Sequence, residues 1–169
     1  VNFSYHANDP SVGFSLHADY DCFKLFLADT GLFVTLAFMD RDYTGNVIYQ
    51  KLLSDKLAVD LGYVYENAIA QMLKSAGNEL FYYTFQEEIV KDEDGNKTVR
   101  NYEVDFLLSR KDKICPIEVK SSGYKSHKSL DVFQEKFSSR ILQRYLLYTK
   151  DVRKDKDIFC LPAYMTGLF

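Results

Sequence analysis

The feature that most constrains the fold is a stretch in which charged residues interrupt two apolar runs separated by a short polar turn. In YEVDFLLSRKDKICPIEVKSS (102–122), Asp105 lies within the first run, and Glu118 and Lys120 alternate with apolar residues in the second. Such alternation is typical of strands, whose successive side chains point to opposite faces. Charges inside apolar strands are costly unless they are paired or bind a metal. The stretch therefore predicts two strands that share a charged site.

The clearest helix is predicted over residues 54–78, where apolar residues recur at helical spacing. Ser54 is a candidate N-cap, and Gly77 followed by Asn78 is a typical helix stop. Glu66 lies in the middle of this helix.

Strand-like runs follow the helix. Asp94 and Gly95 separate two of them and predict a β-hairpin. Pro116 is expected near the start of the next strand, where a missing N–H costs least. Ser129 is a candidate N-cap for a short helix that follows. The order helix, three strands, helix, strand predicts an α/β or α+β domain with a mixed sheet.

Two interpretations of the upstream segment 21–38 remain open: a helix, or a short strand followed by a helix. Its Asp29-Thr30-Gly31 tripeptide matches the signature of aspartic proteases, but bulky residues follow where that family has small ones. A turn in which Asp29 caps the following segment explains the tripeptide better.

Composition indicates a cytoplasmic globular protein. The 169 residues are 47 % apolar, enough for a core, and the three cysteines lack the spacing of a zinc site. No apolar run reaches the ~18 residues needed to span a membrane. No G-x-x-x-x-G-K-[ST] motif occurs, so we expect no ATP binding of that kind by this chain.

Asp105 and Glu118 are expected to converge if their strands are neighbours. Two adjacent carboxylates repel each other and raise each other's pKa, and a divalent cation such as Mg²⁺ relieves the repulsion. Lys120 would then orient or activate a water molecule. The alternative, an ion pair between carboxylate and lysine at the edge of a sheet, accounts for the same residues.

The pattern VDF followed by PIEVKSS resembles the PD-(D/E)XK nuclease superfamily, although Val104 stands where the motif has proline. The resemblance implies a restriction-endonuclease-like core, a mixed β-sheet flanked by helices. It also implies a site for Mg²⁺ or Mn²⁺ formed by Asp105, Glu118, the backbone carbonyl of Val119, and Glu66 from the preceding helix. Lys120 would position and activate the attacking water.

A second resemblance covers nearly the whole chain. FKLFLADTGLF, LGYVYENAIAQML, EVDFLL, PIEVKSS and SLDVFQEKFS, in that order, resemble a domain of unknown function (number 4143) that follows a AAA-type ATPase module in many bacterial and archaeal proteins. The resemblance implies an upstream ATPase module in the same polypeptide. We expect residues 1–169 to form one domain, with 1–53 as an N-terminal extension packed on a core of 54–169.

Two functions follow as hypotheses. The first is a metal-dependent phosphodiesterase acting on DNA, with a catalytic set of Glu66, Asp105, Glu118 and Lys120. In it the DNA backbone would be contacted by Lys125, His127, Lys128 and Arg144. The second is a non-catalytic accessory domain that docks DNA or a protein for the ATPase and keeps a vestigial site. The segment 120–156 holds ten basic and four acidic residues and favours DNA, whereas the overall charge of -3 favours another partner.

Overall fold

The computed structural model describes residues 1–39, 50, 61–90 and 97–169. The described strands are β1 (Asn2–Ala7), β2 (Ala18–Phe26), β3 (Leu80–Val90), β4 (Lys97–Arg110), β5 (Lys113–Lys120), β6 (Arg144–Tyr148), β7 (Arg153–Asp155) and β8 (Ile158–Pro162). The described helices are α1 (Phe14–His17), α2 (Thr30–Ala37), α3 (Gly62–Ser75) and α4 (Lys128–Phe137), with 3-10 helices at Ser138–Arg140 and Ala163–Leu168.

The strands within these ranges form one mixed sheet in the order β2-β1-β3-β4-β5-β6-β8-β7. The strands β3, β4 and β5 pair antiparallel, whereas β6 and β8 continue the sheet parallel to β5. On the other side, β1 pairs parallel with β3 and antiparallel with β2. The prediction of an α/β fold with a mixed sheet is confirmed.

Helices cover both faces of the centre of the sheet. On one face α3 packs on alternate residues of the central strands in a core that includes Ile69, Leu73, Phe106, Leu108, Ile117 and Val119. On the other face α4 packs in a core that includes Phe133, Val104, Leu107 and Ile114. We call these the α3 face and the α4 face. Side chains that alternate along β5 are therefore buried on both sides, as expected for an interior strand.

A β-bulge interrupts β4 at Asp105. Phe81 opposes Leu107 and Tyr83 opposes Val104, so one more residue lies between the two positions on β4 than on β3. As a result Val104 packs on the α4 face and Phe106 on the α3 face, although residues two apart in a regular strand share a face. A bulge changes the direction of a side chain, and here it changes the direction of a charged one.

The helix stop at Gly77 and Asn78 is confirmed. Helix α3 ends at Ser75, Gly77 has φ 88°, and the Asn78 N–H donates to the Leu73 carbonyl at 3.0 Å. The described helix begins at Gly62, and the predicted cap Ser54 lies outside the described residues.

The hairpin prediction is confirmed for the strands: β3 and β4 pair antiparallel as far as Val90 and Lys97. The Asp94-Gly95 turn itself lies outside the described residues. Pro116 lies in the middle of β5 rather than near its start. The strand tolerates it because the parallel pairing of β5 with β6 begins only at Ile117.

The prediction that Ser129 caps the short helix is wrong. Helix α4 begins at Lys128 with His127 at the N-cap, whose carbonyl accepts from the Asp131 N–H at 3.1 Å. The His127 ring is buried and its Nδ1 contacts the Asp131 side chain, but no side chain in the described part of the chain caps the helix.

Residues 21–38 contain most of β2 followed by α2, the second of the two interpretations. Asp29 caps α2 as predicted, because its Oδ1 accepts from the Leu32 N–H at 2.9 Å. None of the described helices has the length and apolar character needed to cross a membrane.

A buried side chain on α3 fastens the end of β2 to the helix. The Asn67 carboxamide accepts from the Leu27 N–H at 2.7 Å and donates to the Leu27 carbonyl at 3.0 Å and to Thr30 Oγ1 at 3.1 Å. Gln71, one turn further along, accepts from the Thr30 N–H at 3.0 Å. These bonds hold β2 beside the middle of α3.

Replacing Asn67 by leucine should destabilise the protein. The apolar side chain would leave the Leu27 N–H and carbonyl without their partner, which costs roughly 2–4 kcal/mol of unfolding free energy. Urea denaturation would measure the change. The matched control is Asn101→Leu on the exposed side of β4, for which we expect a change within about 0.5 kcal/mol. Equal effects of the two substitutions would contradict the fastening role of Asn67.

Candidate functional site

The candidate site lies where the pairing of β4 and β5 ends. The last paired residues are Phe106 and Ile117. Beyond them the Val119 N–H donates to the Asp105 carboxylate, Oδ2, at 2.7 Å. The Asp105 side chain thus takes the place of a main-chain acceptor. The hydrogen-bond ladder between β4 and β5 ends at this carboxylate.

The Asp105 carboxylate is strongly perturbed. Burial, and then repulsion by Glu66, raise its pKa to about 8 from an ordinary value of 3.8, with a smaller contribution from Glu118. The Val119 N–H and the Lys24 ammonium oppose this shift. The protein therefore makes the charged form of Asp105 costly at neutral pH.

Glu118 and Lys120 form an ion pair one strand away. Glu118 is 5 % exposed, and its Oε1 lies 2.7 Å from Lys120 Nζ. Its Oε2 is buried without a hydrogen-bond partner. Burial raises the pKa of Glu118 despite the nearby Lys120. Burial lowers the pKa of Lys120, but Glu118, Asp105 and Glu66 more than offset this and the pKa is raised.

Strand alternation explains how these groups approach one another. Ile117 and Val119 pack on the α3 face, so Glu118 and Lys120 project toward the α4 face. Asp105, in contrast, is opposed mainly by Glu66 of α3. The carboxylates of Asp105 and Glu118 thus lie at the same end of the β4–β5 ladder but on different sides of the sheet. The Lys120 ammonium interacts electrostatically with both.

A second lysine, which the sequence analysis missed, belongs to the cluster. Lys24 of β2 is ion-paired with Glu103, lies 3.8 Å from Glu66 Oε2, and stands 5.1 Å above the centre of the Tyr82 ring. The pKa of Lys24 is raised, although burial lowers it, because Glu103, Asp105 and Glu66 favour the cation. Its signal in the sequence was the one used for Asp105, a lone charge in an alternating apolar strand.

The structure separates the four residues predicted to contact a DNA backbone. Lys125 and Lys128 are exposed, whereas His127 and Arg144 are buried. Arg144, 4 % exposed, donates to Asp131 Oδ1 at 2.9 Å and to the Leu130 carbonyl at 3.0 Å, and pairs with Asp157.

His127 lies in the same cluster. Its Nδ1 is 3.0 Å from Asp131 Oδ2, and its Nε2 is 3.6 Å from Asp155. Both His127 and Arg144 therefore make their polar contacts within the protein, and these contacts join α4 to the region β6–β8. This placement argues against direct phosphate contact by either side chain.

The donor chemistry fits a hard divalent cation. Mg²⁺ uses one or two carboxylates with waters and phosphates, and the site offers Asp105 and Glu118, the latter with an unpartnered buried oxygen. The backbone carbonyl of Val119 directly follows Glu118 in sequence. In the part of the chain that the structure describes, no three Asp, Glu, His or Cys side chains come close enough together to hold a metal ion. A cation would therefore depend on two carboxylates rather than on a complete protein cage.

Comparison with known proteins places most of this architecture within one family. A family model described as a domain of unknown function (DUF4143) matches residues 61–165, the segment that carries α3, the central strands and the site. No curated protein and no solved structure matches the chain.

Replacing Asp105 by asparagine should flatten the pH dependence of stability in the presence of a chelator. Because the folded-state pKa of about 8 exceeds the ordinary 3.8, the contribution of Asp105 is full below about pH 4 and is lost as the pH rises through about 8. Asparagine keeps an acceptor for Val119 but does not ionise. We expect it to raise the unfolding free energy at pH 8 by roughly 1–4 kcal/mol relative to the parent.

Urea denaturation between about pH 5 and pH 8.5 would measure this effect. The control is Asp112→Asn in the exposed turn between β4 and β5. Parallel profiles for the parent and Asp105→Asn would show that Asp105 titrates as an ordinary carboxylate.

Proposed function

We propose, from the premise that this chain belongs to the family described as a domain of unknown function (DUF4143), that it is a metal-dependent DNA phosphodiesterase with a restriction-endonuclease-like core. The observation that carries the proposal is the charge cluster at the end of the β4–β5 ladder, where Lys120 pairs with Glu118 and its pKa is also raised by Asp105 and Glu66. A mixed sheet covered by α3 on one face and α4 on the other is compatible with such a core.

The carboxylates would hold the cation. Asp105, Glu118 and the carbonyl of Val119 would bind Mg²⁺ or Mn²⁺, and Glu66 would bind a second ion or a water molecule attached to the first. The bound cation would stabilise negative charge that develops on a phosphodiester. The raised pKa of both Asp105 and Glu118 supports this assignment, because burial disfavours their charged forms and a bound cation would favour them.

Lys120 would position the attacking water. Its ammonium is 2.7 Å from Glu118, and the charges of Asp105 and Glu66 also favour its protonated form. It is partly exposed, with a third of the side chain accessible to solvent, and so can meet a substrate. A cation at this place also stabilises charge on the transferred phosphoryl oxygens.

Lys24 would act as a counter-ion for the metal-free site. With Lys24 beside Glu66 and Lys120 beside Glu118, two of the three carboxylates have a protein cation close by. The third, Asp105, has only the Val119 N–H as a hydrogen-bond partner among the described residues. We therefore assign the first interaction of a divalent cation to Asp105.

DNA would approach across the loop after β5. Lys125 and Lys128 are exposed there, close in sequence to Lys120, and lysines of this kind contact phosphates without reading bases. By the resemblance to proteins with an AAA-type ATPase module, such a module would lie upstream in the same polypeptide, and it rather than the present chain would bind ATP.

A bound metal should raise the melting temperature. At concentrations well above its dissociation constant, Mn²⁺ should stabilise the protein by roughly 5 °C. Asp105→Ala should abolish the increase, whereas Asp112→Ala in the exposed turn should keep it. Differential scanning fluorimetry with Mn²⁺ and with a chelator would measure the effect. An unchanged increase in Asp105→Ala would place the metal elsewhere.

Cleavage of DNA should require Lys120 and Glu118. The assay would offer supercoiled plasmid, single strands and a branched junction with Mg²⁺ or Mn²⁺ at low salt, because phosphate contacts weaken steeply with ionic strength. We expect Lys120→Ala and Glu118→Ala to lower the rate by about a hundredfold or more. Lys113→Ala, at the opposite end of β5, is the matched control and should cleave like the parent. Equal cleavage by Lys120→Ala and the control would exclude this site.

The second candidate function is a non-catalytic accessory domain that docks DNA or a protein for the ATPase. The observation that favours it is the pairing of Glu118 with Lys120 and of Glu66 with Lys24, together with the lack of a three-ligand metal site among the described residues. A folded protein that cleaves none of the substrates and gains no stability from Mn²⁺ would establish this function in place of the first.

A further inference from the structure

A separate cavity lies at the opposite end of β4 and β5 from the carboxylates. Arg110, at its edge, follows Asp105 by five residues along β4, which corresponds to roughly 16 Å of strand. The volume is about 440 Å³, within the range of small-molecule sites. The lining residues are Arg110, Lys111, Cys115, Leu142, Tyr145, Leu161, Met165, Leu168 and Phe169.

The walls of this cavity are mostly apolar and come from three parts of the fold. Tyr145 of β6 and Leu161 of β8 line it, and the C-terminal 3-10 helix supplies Met165. The Phe169 ring stands edge-on to Tyr145 with the ring centres 4.8 Å apart. At the rim Leu142 is 48 % exposed. An apolar ligand would therefore remove hydrophobic surface of the protein from water.

Arg110 places a cation at the edge of this apolar space. Its guanidinium donates to the Ser109 carbonyl at 2.8 Å and to Asn78 Oδ1 at 2.9 Å, and both acceptors are neutral. A guanidinium has five N–H donors. Among the described residues no acidic side chain pairs with Arg110, so its charge and several donors remain available to an anion.

The guanidinium is held in place before any ligand arrives. Asn78, which accepts from Arg110, is itself fixed because its amide donates to the Leu73 carbonyl at 3.1 Å and the Phe169 carbonyl at 3.4 Å. Arg110 acts electrostatically on the wall of the cavity: burial raises the pKa of Cys115 and of Tyr145, and Arg110 opposes part of each increase. A fixed cation beside an apolar cavity is complementary to a ligand with an apolar body and one anionic group.

We infer that this cavity binds a free small-molecule carboxylate with an apolar body, whose carboxylate pairs with Arg110 while the body packs on Tyr145, Leu161 and Met165. Lys111, exposed at the mouth, adds a second positive charge. Such a ligand would bind the protein whether or not the distant carboxylate cluster is a nuclease site, so the inference does not depend on the proposed function.

Decanoate is the probe ligand for this inference. Decanol represents its apolar body, and acetate represents its carboxylate. Isothermal titration on the whole chain, below the micelle threshold, should show that decanoate binds more tightly than either half. Arg110→Gln should weaken decanoate roughly tenfold to a hundredfold and leave decanol unchanged. The matched control is Lys113→Gln, which removes the same charge from the residue paired with Arg110 in the β4–β5 register but outside the cavity.

A second variant separates binding from misfolding. Leu142→Asn, at the exposed rim, should weaken decanoate and decanol alike because it removes a wall that both contact. The inference is overturned if decanoate does not bind the folded parent, if decanol or acetate binds as tightly as decanoate, or if Lys113→Gln weakens decanoate as much as Arg110→Gln.

Discussion

The hydrogen bond from the Val119 N–H to the Asp105 carboxylate is the constraint on which the rest of the site depends. It stands where the β4–β5 ladder would otherwise continue, so the two central strands stop pairing at a charged group. The bulge in β4 makes this possible, because it turns the carboxylate out of the register that its neighbours follow. Burial then makes the charge of Asp105 costly, and the surrounding residues offset that cost only in part.

The neighbours of Asp105 are supplied by elements distant in sequence. Helix α3 brings Glu66, and Asn67, the next residue, fastens the end of β2 to the same helix. Strand β2 is thereby held where Lys24 lies between Glu66 and Glu103. Helix α3 thus positions both Glu66, which repels Asp105, and Lys24, which attracts it. The packing of α3 against the sheet therefore controls the electrostatics of the site.

Local patterns in the sequence were sufficient to identify Asp105, Glu118 and Lys120, because alternation within a strand is visible in a few residues. Lys24 has the same local pattern, but its role depends on Glu66 and Glu103, which become its neighbours only when β2 packs beside α3 and the sheet is assembled. The bulge in β4 has no local signature. Arg144 looked available for phosphate because its acceptors, Asp131 and Asp157, each lie thirteen residues away and meet it only in the folded protein.

The balance of charge at the ladder end supports the proposed metal site over a set of ion pairs. A cluster made only of ion pairs would need equal numbers of carboxylates and lysines. Among the described residues, the cluster contains Glu66, Glu103, Asp105 and Glu118 with the lysines Lys24 and Lys120. Burial, and then repulsion by Glu66, raise the pKa of Asp105 to about 8. A cluster that served only to hold strands together would gain stability by losing Asp105. Its partly buried excess of negative charge instead suits a site whose missing positive charge comes from a bound divalent cation.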